Sequence, residues 1–256
     1  MIRRIKSLLL SNEIIGKGSS ALFMKVFGGL FGYIFLLLVT RISGAQTWGI
    51  FALCLAIISI SSIISILGID LSLVKFIATF KSQLSNIKHL YRQAIKIVCL
   101  ASICVAISLY FLSDLIALHI FNKIYLAEYF RIVSFVILPL SIININAQTL
   151  RGMKRITEFA LYRHLFRYLF VIISFLIIIK YSDYNTQAAP VYAFFFSMVL
   201  LMLFSSVHVN RVIKTNDSVT HIIKNSELLI SSFPMMISAS IVLTMSWADT
   251  IMIGIF

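Results

Sequence analysis

Ser141, Asn144 and Gln148 recur at i, i+3 and i+7 inside a long apolar run, and Asn146 adds a second amide beside them. That spacing puts the three on one face of an α-helix. Amides and hydroxyls on such a face need polar partners. Two readings are open: hydrogen bonds to a neighbouring helix, worth about 0.6 to 2 kcal/mol each, or the wall of a hydrated cavity. Lys25 sits about two turns into another apolar run, where an unpaired cation near a bilayer centre costs roughly 2.5 to 3.5 kcal/mol. It either snorkels to the headgroups or faces an inner cavity and attracts an anion. Asp249 is the acidic residue well inside a run, and it suits a salt bridge, a proton or sodium site, or a solvated carboxylate at a helix end.

No further chemistry is spelled out by motif. The chain has no Gly-x-Ser-x-Gly, no Walker-type loop, no Asp-x-x-Asp and no His-x-x-x-x-Asp pair, so no enzyme class is indicated and no cofactor is expected. Coupling to H+ or Na+ is left open. Cys54, Cys99 and Cys104 lie within apolar runs without Cys-x-x-Cys or histidine at metal spacing, and read as packing residues. His119 and His208 stand alone near the ends of runs and read as interfacial.

The elements that must position these residues are membrane spans. Hydrophobic residues make up 60% of the 256 and charged ones 12%, and a helix needs about 20 apolar residues to cross a ~30 Å core. The runs predict spans at about 19–40, 48–69, 94–113, 130–149, 165–181 and 190–209, with a seventh from about 229. Pro139 and Pro234 fall inside spans and invite kinks. Gly28 and Gly32, spaced Gly-x-x-x-Gly, and the serines at 59, 61, 62 and 65 allow close helix approach.

Charge sets the orientation. With the N-terminus inside, 17 of the 22 lysines and arginines fall on the inner segments, among them the cluster Arg151, Lys154, Arg155 together with Arg163 and Arg167. The net charge of +13 is accounted for by this topology, and no recognition module accompanies it, so nucleic acid is not an expected partner. Trp48, Tyr110, Tyr125, Tyr129, Tyr181, Tyr184 and Tyr192 read as anchors at the outer interface, Tyr91 and Tyr162 at the inner one. The expected location is the cell inner membrane, multi-pass, with the lipid bilayer as a partner.

Four stretches carry a family resemblance. VTRISGAQTWGIFAL, Val39 to Leu53, resembles the first periplasmic hairpin of polysaccharide and O-antigen flippases, and LGIDLSLVKFIATF, Leu67 to Phe80, their first cytoplasmic loop. AQTLRGMKRITEFALYR, Ala147 to Arg163, is similar to their second such loop, and WADTIMIGIF, Trp247 to Phe256, to their Asp-bearing seventh span. The family belongs to the multidrug/oligosaccharidyl-lipid/polysaccharide (MOP, MATE-like) superfamily. The resemblance implies an all-α helical bundle with a six-span N-terminal lobe at 1–215, then a linker and the first span of an incomplete second lobe at 216–256. The expected form is therefore a truncated one.

The resemblance further implies a flippase that moves an undecaprenyl-pyrophosphate-linked oligosaccharide across the inner membrane by alternating access. Lys25, Ser141, Asn144 and Gln148 are the cavity candidates, and Asp70 and Asp249 the coupling or gating candidates. The partners implied are the lipid-linked oligosaccharide and the missing second lobe or polymerase machinery. Buried carboxylates would suit cationic drugs, whereas Lys25 favours an anionic substrate. The alternatives are a superfamily exporter of another substrate and a non-transporting membrane assembly partner.

Overall fold

The structure, a computed structural model, describes residues 2–80, 83–181, 187–215 and 223–255, with side chains from Gly16 onward apart from Lys17. Among these residues every regular element is helical: α1 (Ile2–Ile42), α2 (Ala45–Ile66), α3 (Ile69–Thr79), α4 (Leu84–Leu115), α5 (Leu126–Ser134), α6 (Ile137–Gly152), α7 (Ile156–Ala160), α8 (Phe166–Tyr181), α9 (Ala189–Val212) and α10 (Asn225–Ile255). Two π-helical turns, Ile116–Ile120 and Leu161–Leu165, extend α4 and join α7 to α8. Six continuous stretches are long and apolar enough to span, and the bent pair α5 and α6 makes a seventh. The chain is an all-α polytopic bundle.

The boundaries move for physical reasons. The second span stops at Ile66 because Leu67 and Gly68 take left-handed backbone angles, φ 55° and 69°, which ends a helix; α3 then sets off separately. The fourth span is broken by 45° between α5 and α6. Pro139 lacks an N–H and its ring presses on the carbonyl four residues earlier, that of Phe135, which is where the break lies. The turns around it tighten, with Phe135 N–H donating to Ile132 O and Val136 N–H to Val133 O.

The most enclosed element is α6, which packs against α2, α3, α4, α7 and α9. Its apolar side is Ile137, Leu140, Ile143, Ile145 and Leu150, all buried. Asn146 is its polar hub: the amide accepts from the Tyr91 hydroxyl at 2.7 Å and donates to Ser205 and Ser206 at 2.9 and 3.0 Å. Tyr91 and Tyr162 are therefore buried hydrogen-bonding residues rather than the interfacial anchors expected of them, because each hydroxyl finds a partner inside the bundle. Tyr129 is buried as well, and Tyr184 lies outside the described residues. At the end opposite Arg151, Lys154 and Arg155, here termed the far end, Phe35 packs edge-on against Phe51 and Phe175 at 5.5 and 5.6 Å.

α10 lies along α2 and α3. Near the basic end the Ser72 and Ser232 hydroxyls meet at 2.6 Å. Gly68 is pressed there against Ser232 O and Met236 N. At the far end Gly254 sits on Leu53 and Phe121, and Lys123 Nζ donates to Gly254 O at 2.9 Å. The large exposed apolar side chains of α1, α4 and α10, such as Phe23, Phe111 and Met245, suit a lipid environment.

Candidate functional site

The fifth span begins at Ile156, nine residues before the expected 165. Arg163, expected before the span, and Arg167, expected at its start, both lie well inside a membrane-length helix. At 1.5 Å per residue they lie about 10 and 16 Å from its start. Two arginines near the start of an apolar helix lower the hydropathy there and obscure where it begins, yet Phe159, Leu161, Tyr162 and Phe166 give it enough apolar surface to pack. The π turn Leu161–Leu165 carries Arg163; such single π turns within α-helices occur frequently at functional sites.

Side chains from α3, α6 and this turn converge. Arg163 Nη1 donates to Asn144 Oδ1 at 3.1 Å, and one helical turn further along α6 Gln148 Nε2 reaches Asp70 Oδ2 at 3.4 Å. Gln148 Oε1 is buried without a hydrogen-bond partner. Arg163 and Arg151 flank the Phe159 ring at 6.0 and 5.4 Å from its centroid. The Arg167 guanidinium lies 5.5 Å from the Phe194 centroid, and its Nε is also buried without a hydrogen-bond partner. Among the described residues no carboxylate comes within ion-pair distance of Lys25, Arg163 or Arg167.

α1 delivers Lys25 to the same turn. Gly28 lies against the backbone of His164, so closely that a Cβ would stand 2.7 Å from the His164 carbonyl oxygen, and Gly32 rests on the Tyr168 ring. The Gly-x-x-x-Gly spacing thus does what it suggested, since removing the side chain lets backbones touch. Lys25 is exposed one turn before Gly28, near enough for its charge to act on His164.

Asp70, in the first turn of α3, is near enough for the Arg163 charge to act on it. Burial pushes its carboxyl above the ordinary carboxylate range, and the Arg163 charge and the Leu71 N–H partly offset this. A carboxyl raised in this way binds its proton more tightly in the folded state, so this group's contribution to stability declines as pH rises through its folded-state value.

The remaining expected site residues separate. Ser141 is fully buried, its hydroxyl 2.7 Å from that of Ser65 on α2, and it serves helix packing. Asp249 is exposed on α10 near the far end. Arg151, Lys154 and Arg155 are exposed, Lys154 in a left-handed turn, and Arg155 pairs with Glu158 at 3.3 Å. His208 is not alone at a span end: its two nitrogens contact Glu158 and Tyr162. No group of acidic, histidine or cysteine residues suited to a metal occurs among the described residues.

Residues 15–256, almost the whole chain, match the family model described as polysaccharide biosynthesis protein, and the chain belongs to that family. No curated protein and no solved structure matches.

Proposed function

We propose that this member of the polysaccharide biosynthesis protein family carries a lipid-linked oligosaccharide across the inner membrane, with Lys25, Arg163 and Arg167 attracting its diphosphate. The observation that carries the reading is the placement of these three cations in membrane-length helices with no ion-paired carboxylate among the described residues. A charge so placed is costly and marks a substrate path unless something neutralises it. Arginine suits phosphate because its planar fork donates in pairs, while lysine acts as a point charge. Asn144 and Gln148 offer amides for phosphate or sugar, and Asn144 also holds Arg163 in place. The lipid tail stays in the bilayer beside the bundle, and Asp70, held by Gln148 on the same face of α6, sets a limit on anion affinity.

The experiment is a pair of readings on Lys25→Leu introduced at the chromosomal locus: surface polymer and membrane-inserted protein. The substitution removes a cation from a span, so abundance holds or rises. If Lys25 contacts phosphate, polymer falls about tenfold, the size of one charge-assisted hydrogen bond of ~1.5 kcal/mol, and Lys25→Arg restores much of it. Normal polymer with normal abundance assigns Lys25 to snorkelling and removes it from the site.

The transport direction requires the basic end to face the cytoplasm, which the asymmetry of lysine and arginine supports. Reporter fusions after Asn86 and Thr157 are expected to read as cytoplasmic, and those after Gln46 and Asn122 as periplasmic. A fusion reporting the opposite side would overturn this orientation.

A further inference from the structure

His208 lies about one turn before the end of α9, and both of its ring nitrogens are engaged. Nε2 is 2.9 Å from Glu158 Oε2, and Nδ1 is 2.8 Å from the Tyr162 hydroxyl. Glu158 belongs to α7 and Tyr162 to the π turn, so one imidazole fastens α9 to the helix that carries Arg163. The Tyr162 ring is buried and stands edge-on to the imidazole at 5.6 Å. Asn146 holds Ser205 and Ser206 from α6 and so fixes α9 just before His208.

An imidazole in this setting has two protonation states, with Tyr162 hydrogen-bonded to Nδ1 and Glu158 beside Nε2. Glu158 as a carboxylate only accepts, so in the neutral ring the proton sits on Nε2 and Nδ1 accepts from the Tyr162 hydroxyl. Uptake of one proton at Nδ1 makes both nitrogens donors. The Tyr162 oxygen then accepts, its own hydroxyl proton turns to another acceptor, and the contact with Glu158 becomes an ion pair. Tyr162 immediately precedes Arg163, so the reversal is felt at the arginine. The added positive charge also raises the potential around it.

The charges facing this relay come from every neighbouring element. Arg155, at the residue before α7, competes for Glu158 at 3.3 Å. Arg151 ends α6 over the Phe159 ring, Arg163 and Arg167 follow along the π turn and α8, and α1 brings Lys25 to His164. α5 contributes Glu128 and Arg131 only near the opposite end of α9, beside Tyr192. Glu158 is thus the carboxylate that stands beside the ring.

We propose that His208, between Glu158 and Tyr162, is a proton-binding site that couples proton uptake at the basic end to anion binding at Arg163. The proposal rests on the diphosphate reading above. Its test measures inorganic pyrophosphate binding to the full chain in lipid nanodiscs at about pH 8 and pH 5.5, the range in which histidine titrates. Each value is compared with His208→Gln at the same pH, so that the titration of pyrophosphate itself cancels. Affinity of the unaltered chain is expected to rise, on acidification, about fivefold more than that of the variant, the lower range of typical coupling between sites. Tyr162→Phe keeps the ring in place but removes the hydroxyl, and should lose most of that excess; it also replaces the comparison if His208→Gln does not insert. Equal pH dependence in the chain and in both variants overturns the coupling while leaving the anion site standing. No pyrophosphate binding at either pH overturns the diphosphate reading and the coupling with it.

Discussion

Arg163→Leu is expected to lower surface polymer about tenfold or more, and Arg163→Leu combined with Arg167→Leu to abolish it, while membrane-inserted protein stays level or increases. The two halves of that result have separate causes. Each arginine supplies charge-assisted hydrogen bonds to an anion, worth about 1.5 to 3 kcal/mol apiece. Each also costs roughly 2.5 to 3.5 kcal/mol on insertion when it lies near the bilayer centre, so leucine makes the fifth span easier to insert. Loss of polymer from a more abundant protein cannot come from failed insertion. Arg163→Lys should fall between, since an ammonium keeps the charge but not the fork that also engages Asn144. Full polymer from the double variant would show that the arginines only hold helices together.

Arg163 and Arg167 also show where sequence reading stops. Hydropathy finds spans by their apolar content, and it located all seven because most are apolar throughout. It cut the fifth span short at the cluster of Arg163 and His164. The lost turns contain Arg163, most of the π turn and Glu158, and with them the convergence on Asn144 and Asp70. Ser141, Asn144 and Gln148 share a face as their spacing predicts, yet they part in their environments: one meets Ser65, one Arg163, one Asp70. Periodicity gives direction but not the identity of what stands opposite. The break near Phe135 was legible from Pro139, because proline acts locally on the residue four positions before it.

Gly28→Leu is expected to disable the protein where Gly29→Leu does not. A Cβ at Gly28 would meet the His164 carbonyl oxygen, carbonyl carbon and Cβ at 2.7, 2.8 and 2.9 Å. Two of those atoms are backbone, and they cannot turn aside as a side chain can. Overpacking of this kind costs about 1 to 3 kcal/mol, occasionally more, and it pushes α1 away from the π turn and Lys25 away from Arg163. The neighbouring Gly29 has nothing within 4 Å, and replacing a helical glycine there gains up to about 1 kcal/mol of helix propensity. Thermal unfolding of the two variants in detergent, together with surface polymer in cells, separates them: Gly28→Leu unfolds at lower temperature and loses polymer, and Gly29→Leu does neither. Similar behaviour of the two would mean that α1 does not seat on His164.

Two arginines within Ile156–Tyr181 have a consequence for biosynthesis. That helix has a mean hydropathy of 1.8, below the 2.0 of the Ala189–Val212 helix that follows. A translocon releasing helices one at a time would present the Arg167 guanidinium to lipid before Phe194 could receive it. Released together with α9, Arg167 finds Phe194, and Tyr162 finds His208, while the chain is still at the exit. The fifth and sixth helices are then best understood as a hairpin delivered as one unit, with the length of the segment between Tyr181 and Ala189 setting how long the first must wait for the second.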